Sequence, residues 1–295
     1  MVSTSIYLSI CVALASAAYG SETSTSLAFR YLFTFGNSYS QTGFNISLEK
    51  PSASNPIGNP PFPGYTTSGG NNWLTFVSKT PSPSLLAYNF AYGGATTSAE
   101  LIAPFEPTVL SLIDQVSLFT SNLAPPPTYA SWTSADSLFG IWIGVNDVGN
   151  GWHRDNWTTL VETIISTYVS QVSTLYSSGA RNFVFLTVPP IELTPLIRTD
   201  SADNQKAVAE AVVQYNTLLT AAVNTFAGDK TDVKMWVVDT APAFNAAVAD
   251  PGAYGAPNAT CWDEDGVSCL WFNDYHPGQA IQKMVGEAVV LEVGI

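Results

Sequence analysis

The chain has 295 residues, 46% of them hydrophobic and 11% charged. That is ample for one large core and unlike the composition of a disordered or fibrous protein. Ten basic against 23 acidic residues leave a net charge of −13, which works against phosphate backbones and anionic membrane surfaces, so no nucleic-acid partner is expected.

From the N-terminus, an apolar stretch from Ile6 to Ala18, closed by small residues including Ala15-Ser16-Ala17, reads as a secretory signal peptide over residues 1–20. No other apolar run approaches the roughly 20 residues of a membrane span, so residues 21–295 are expected to form a single secreted, extracellular domain. Cys11 leaves with the signal. Cys261 and Cys269 remain, and in an oxidising compartment the pair is expected to close "CWDEDGVSC" with a disulfide. Three sequons, at Asn45, Asn156 and Asn258, fit a glycoprotein that has passed through the secretory pathway.

Five continuously apolar segments predict buried strands: Tyr31 to Phe35, Leu86 to Phe90, Leu138 to Ile143, Phe183 to Val188 and Met235 to Val238. Helical spacing covers Thr159 to Ser177, Ala202 to Ala227 and Gly278 to Val293. Alternating strands and helices imply a parallel sheet covered on both faces. The Pro/Gly/Ser/Asn-rich residues 51–72 and "APPPT" at 124–128 read as surface loops.

Ligands of open α/β sheets sit beyond the carboxyl ends of the strands, and the polar motifs fall there. "GNSYS" carries Ser38 after the first strand, "NFAYGGAT" follows the second and "GVNDVGN" the third. A serine in such a place is most often a helix N-cap. To be a nucleophile it needs a base within hydrogen-bond reach and donors for an oxyanion. The chain offers two histidines. His276, in "WFNDYHPG" with Asp274 nearby, is the better candidate base, and His153 reads as solvated. Two separate histidines without a cysteine cluster make a zinc site improbable. Asn146 could donate its side-chain amide to an oxyanion, and a glycine N–H of "AYGGAT" could be a second donor.

In this order and placement the motifs resemble the SGNH or "GDSL" hydrolases: Gly36-Asn37-Ser38-Tyr39, then Asn89 to Thr96, then Gly144-Val145-Asn146-Asp147, then Asn273 to Pro277. The resemblance runs from about Tyr31 to the C-terminus. It implies a flavodoxin-like three-layer α/β/α sandwich with a five-stranded parallel sheet, ester hydrolysis, and no metal or organic cofactor. Carried over by position, Ser38 is the nucleophile and His276 the base, with the Ser38 and Gly94 backbone N–H groups and the Asn146 side chain as oxyanion hole; Gly93 is the fallback for Gly94. The family's Asp-Leu pair around the serine is Asn37 and Tyr39 here. Its triad aspartate, three residues before the histidine, is Asn273. Either Asp274 reaches His276 Nδ1 or a neutral group holds the ring; Asp274 is the expected partner, because a carboxylate stabilises the imidazolium formed during acylation better than an amide does. With an unperturbed imidazole, activity should fall as pH drops through roughly 6 to 7.

"YTTSGGNNWLTF" at 65–76, with the "GNSYSQTGFN" opening and the "WFNDYHPG" close, most nearly resembles secreted fungal acetylesterases of the sixteenth carbohydrate-esterase family. That implies a small acetylated sugar or xylo-oligosaccharide as substrate. Six aromatic residues flank the motifs, Tyr39, Tyr92, Trp152, Trp262, Trp271 and Tyr275, and one or two are expected to serve as stacking platforms rather than packing. A lipase or phospholipase on longer acyl esters and a non-catalytic carbohydrate-binding protein on a degenerate hydrolase fold are the alternatives. A monomer is expected.

Overall fold

The computed structural model describes residues 29–81, 83–228 and 230–295; the signal-peptide reading lies outside them. Among these residues five strands and eight α-helices follow one another in chain order: β1 (Tyr31–Gly36), α1 (Trp73–Lys79), β2 (Leu86–Asn89), α2 (Leu112–Leu123), β3 (Ser137–Trp142), α3 (Val145–Gly151), α4 (Trp157–Ser177), β4 (Asn182–Leu186), α5 (Pro195–Arg198), α6 (Ala202–Gly228), β5 (Lys234–Val238), α7 (Ala241–Ala249) and α8 (Gln279–Val293). The strands form one parallel sheet in the order β2-β1-β3-β4-β5, flavodoxin-like in topology. One face is covered by α2, α4 and α6, the other by α1, α7 and α8. The chain has the expected α/β/α sandwich.

Every residue of β1, β3 and β4 is buried, which is why these strands read as unbroken apolar runs instead of alternating ones. Under α2 the core is aromatic. The Phe33 ring lies 5.0 Å from that of Phe139 and 5.1 Å from that of Phe119, and truncating such a ring to alanine costs about 3–5 kcal/mol through lost transfer energy and the cavity left behind.

The sequence reading passed over α1, α2, α3, α5 and α7. Four of the five span 4 to 9 residues, too short for a helical period to stand out. Local caps begin several of them. Asn72 accepts from the Thr75 N–H at the start of α1, and Ser111 forms a reciprocal capping box with Asp114 at the start of α2. Residues 51–72 contain neither strand nor helix, as their composition predicts.

β1 and β3 are neighbours in the sheet, and their connections leave on opposite sides. A crevice therefore opens beyond the carboxyl ends of β1 and β3, and the polar motifs gather around it.

Candidate active site

The chain leaves β1 through Gly36, whose φ is +155°; a Cβ there would lie 2.3 Å from the Trp142 carbonyl oxygen, so only glycine lets the turn start this close to β3. Gln115 of α2, fully buried, clamps the same residue twice, accepting from the Gly36 N–H at 2.8 Å and donating to its carbonyl at 2.9 Å. Beyond it the turn is held by side chains distant in sequence. Asn89 Nδ2 donates to the Ser40 carbonyl at 2.7 Å and to Thr42 Oγ1 at 3.0 Å. Asn37 Oδ1 accepts from the Tyr39 N–H at 3.0 Å, while its buried Nδ2 has no partner. At the position where the family signature has leucine, Tyr39 is fully buried and donates its hydroxyl to the Tyr275 carbonyl at 2.6 Å. That bond ties the serine turn to the histidine loop. Burial holds the Tyr39 phenol well above its ordinary pKa, so it remains a donor.

Ser38 Oγ lies 2.7 Å from His276 Nε2, and His276 Nδ1 lies 2.9 Å from Asn273 Oδ1. The same Oδ1 accepts from the Tyr275 N–H at 3.0 Å and the His276 N–H at 2.8 Å. Those two donors fix which end of the amide faces the ring, and an oxygen there requires Nδ1 to carry the proton. Nε2 is thus the acceptor, and the Ser38 hydroxyl donates to it.

Asp274 does not take the role expected of it. The Asn273 turn brings position 273 under the imidazole, and the Asp274 side chain is exposed beside Trp262 in a neighbouring hollow. Only its backbone carbonyl is engaged, accepting from the Leu196 N–H at 2.8 Å. The pH expectation also changes. Packed edge-on against Tyr39 and Tyr275, the His276 ring has its pKa lowered by burial to about 4, because desolvation disfavours the imidazolium.

Asn146 lies in the first turn of α3 and donates its amide to the Ala95 carbonyl at 2.8 Å. Next to it Asp147 is fully buried, both carboxylate oxygens accepting the Thr97 N–H at 3.0 and 3.1 Å. Burial pushes this carboxyl up to about 7. The two side chains stitch α3 to the 93–97 loop. Gly94, in that loop, has φ +76°, and a Cβ there would meet the Phe105 Cβ at 2.4 Å. No backbone carbonyl among the described residues accepts from the N–H of Ser38, Gly93 or Gly94.

Ser38, Gly93, Gly94, Asn146 and His276 share the lining of one cavity of about 520 Å³ with Phe105, Ile197 and Tyr275. His153 is exposed and stands apart from it. The three sequon asparagines are exposed, and Cys261 and Cys269 form a disulfide with their Cα atoms 5.2 Å apart. Sequence reasoning missed Gln115, Tyr39, Asp147 and Asn273 as site-building residues. Tyr39, Asp147 and Asn273 lay inside quoted motifs, but nothing in those motifs announced the bonds they make; Gln115 lay outside all of them.

A serine hydroxyl donated to a neutral, oriented imidazole at the switch point of a parallel sheet places the molecule among the serine hydrolases. An acetylesterase from Thermothelomyces thermophilus is 53% identical to the chain over 262 residues, covering 88% of this chain and 87% of the relative. Among solved structures, an acetylxylan esterase from Geobacillus stearothermophilus superposes with a TM-score of 0.55 at 15% identity, over 92% of this chain and 97% of the other. A member of the lipolytic G-D-S-L family from Veillonella parvula superposes with a TM-score of 0.51 at 12% identity, over 89% and 97% of the two chains. No protein-family model matches. The chain belongs to the SGNH/GDSL hydrolase family and is a carboxylic ester hydrolase. Among the described residues no helix is long and apolar enough to cross a membrane.

Proposed function

We propose that the protein is a secreted acetylesterase that removes acetyl groups from plant-polysaccharide fragments of the acetylated xylo-oligosaccharide class through an acyl-enzyme. The observation that carries the reading is the Ser38–His276–Asn273 relay, with 2.7 and 2.9 Å links, whose Ser38 and His276 line the 520 Å³ cavity. His276 takes the Ser38 proton as Oγ attacks the ester carbonyl. The Ser38 and Gly94 N–H groups and the Asn146 amide receive the negative charge of the tetrahedral intermediate. Collapse expels the alcohol, protonated by His276, and leaves the acyl group on Ser38. Water, deprotonated by His276, then attacks the acyl-enzyme, His276 returns that proton to Oγ as the Oγ–acyl bond breaks, and acetic acid leaves and ionises to acetate.

Acetyl as the acyl group and an acetylated saccharide as its carrier rest on the 53%-identical acetylesterase and on the motifs around Ser38 and His276. Secretion rests on residues 1–20 and the Cys261–Cys269 disulfide, and the exposed Asn45, Asn156 and Asn258 are its proposed glycosylation sites. A monomer, without nucleic acid or cofactor, completes the reading.

One observation favours a second reading, a lipase or phospholipase. Phe105 and Leu196 line the cavity and are 80% and 45% exposed, an apolar rim that would suit a longer acyl chain. Initial rates on 4-nitrophenyl acetate and octanoate, with Ser38→Ala as the blank, decide between them. Rapid acetate and negligible octanoate turnover, both abolished in the variant, is the expected result. Octanoate preference would move the assignment to lipids, and no Ser38-dependent turnover of either ester would refute both readings in favour of a non-catalytic binding protein.

A further inference from the structure

Of the six aromatic residues flanking the motifs, Tyr39 and Trp271 are fully buried, but Trp262 is 54% exposed. Its backbone is nevertheless firmly held. It follows Cys261 of the disulfide and bridges to Trp271, whose carbonyl accepts from the Asp263 N–H at 3.0 Å. A rigid backbone presenting an indole face to solvent leaves apolar area that burial by a ligand would stabilise.

Trp262 lines a hollow of about 540 Å³ together with Asp274, Leu196, Arg198 and Thr199. Leu196 also lines the catalytic cavity, so the two spaces share a wall. The Asp274 carbonyl accepts from the Leu196 N–H, which joins two of the lining segments at the backbone, two residues from His276. Neither Asp274 nor Arg198 takes part in an ion pair among the described residues, and both side chains are exposed. A flat aromatic face, a carboxylate that accepts from hydroxyls and a guanidinium that donates to them are the groups a pyranose ring requires.

We propose that this hollow is a saccharide-binding subsite, with Trp262 as stacking platform and Asp274 and Arg198 as hydroxyl partners. It holds a sugar unit next to the acetylated one in the catalytic cavity. The proposal rests on the carbohydrate-ester reading above. It also gives Asp274 a role in place of the orienting one.

The test compares wild type, Trp262→Ala, Trp262→Tyr and Arg198→Ala on three substrates: 4-nitrophenyl acetate, monoacetylated xylose and monoacetylated xylotetraose. In Trp262→Ala, kcat/KM on the tetraose should fall about tenfold, mainly through KM, with both smaller esters within about twofold of wild type. Trp262→Tyr should recover most of the loss, and Arg198→Ala should show a smaller loss confined to the tetraose. Equal losses on all three substrates would make Trp262 a structural residue and overturn the subsite. So would a wild-type enzyme that deacetylates the tetraose while Trp262→Ala and Arg198→Ala do so equally well. A wild type that turns over 4-nitrophenyl acetate but neither acetylated sugar would instead overturn the substrate reading, and the subsite with it.

Discussion

The serine turn and the histidine loop meet at the 2.7 Å Ser38–His276 contact and at the Tyr39–Tyr275 bond, yet they are built by different means. The serine turn hangs from β1, a strand paired on both sides, and is fixed by buried side chains from distant segments: Gln115 from α2, and Asn89 from the end of β2. The histidine loop has no strand beneath its catalytic residue. Short-range contacts orient the ring, namely the Asn273 turn, the Phe272 N–H to His276 carbonyl bond at 2.8 Å and the nearby disulfide, while Leu196 and Tyr39 hold only the loop's backbone carbonyls from afar. Position on a regular frame makes a residue's direction predictable, whereas a loop's direction depends on which side chain captures which amide.

That difference can be broken first at the oxyanion side, which depends on the regular frame. Replacing Asn146 with alanine removes both a proposed oxyanion donor and the bond to the Ala95 carbonyl. Turnover of 4-nitrophenyl acetate should drop about 10²–10³-fold, with a much smaller change in KM. A loss under threefold would mean that the amide serves only the loop.

The histidine side is sharpened by Asn273. Asparagine in place of a triad carboxylate is severely damaging where the amide is free to present its nitrogen and impose the wrong tautomer. Here two backbone donors lock its oxygen towards Nδ1, so the tautomer is correct and only the carboxylate's charge is missing. Asn273→Ala should therefore lose about 10–100-fold in kcat. In the wild type, His276 must be neutral to accept the serine proton. With its pKa lowered to about 4, kcat/KM should stay level from pH 8 to about 5 and fall only near pH 4. Asn273→Asp would set a carboxylate against Nδ1 and favour the imidazolium, so the acid limb should move up, towards roughly 6 to 7. An unmoved limb in this variant would show that the residue titrating in the profile is not His276.

The sheet was legible because five buried strands leave five apolar runs, and Ser38, Asn146 and His276 were legible because each stands in a motif whose order along the chain is distinctive. What escaped depends on three-dimensional pairing. Gln115 reaches across 79 positions to Gly36, and Tyr39 across 236 to Tyr275; neither residue type nor spacing announces such a partner. Asp274 was misplaced for a related reason. Charge favoured it as the partner of an imidazolium, and charge was weighed without the backbone geometry that decides which of two adjacent side chains faces the ring.

The smallest effect expected follows from that geometry. Because the Asp274 carboxylate faces the hollow by Trp262 instead of His276 Nδ1, Asp274→Ala should hydrolyse 4-nitrophenyl acetate within about twofold of wild type, with the same acid limb near pH 4. Its backbone carbonyl, which holds Leu196, survives the substitution, so the loop should keep its shape. A loss beyond tenfold on this small ester would place the carboxylate back among the groups that stabilise the imidazolium, acting through the field of an exposed charge instead of through a hydrogen bond. That field would be screened by salt, so repeating the comparison at 0.05 and about 1 M ionic strength would separate the two. A deficit that shrinks with salt belongs to the field, and one that persists belongs to the loop's shape.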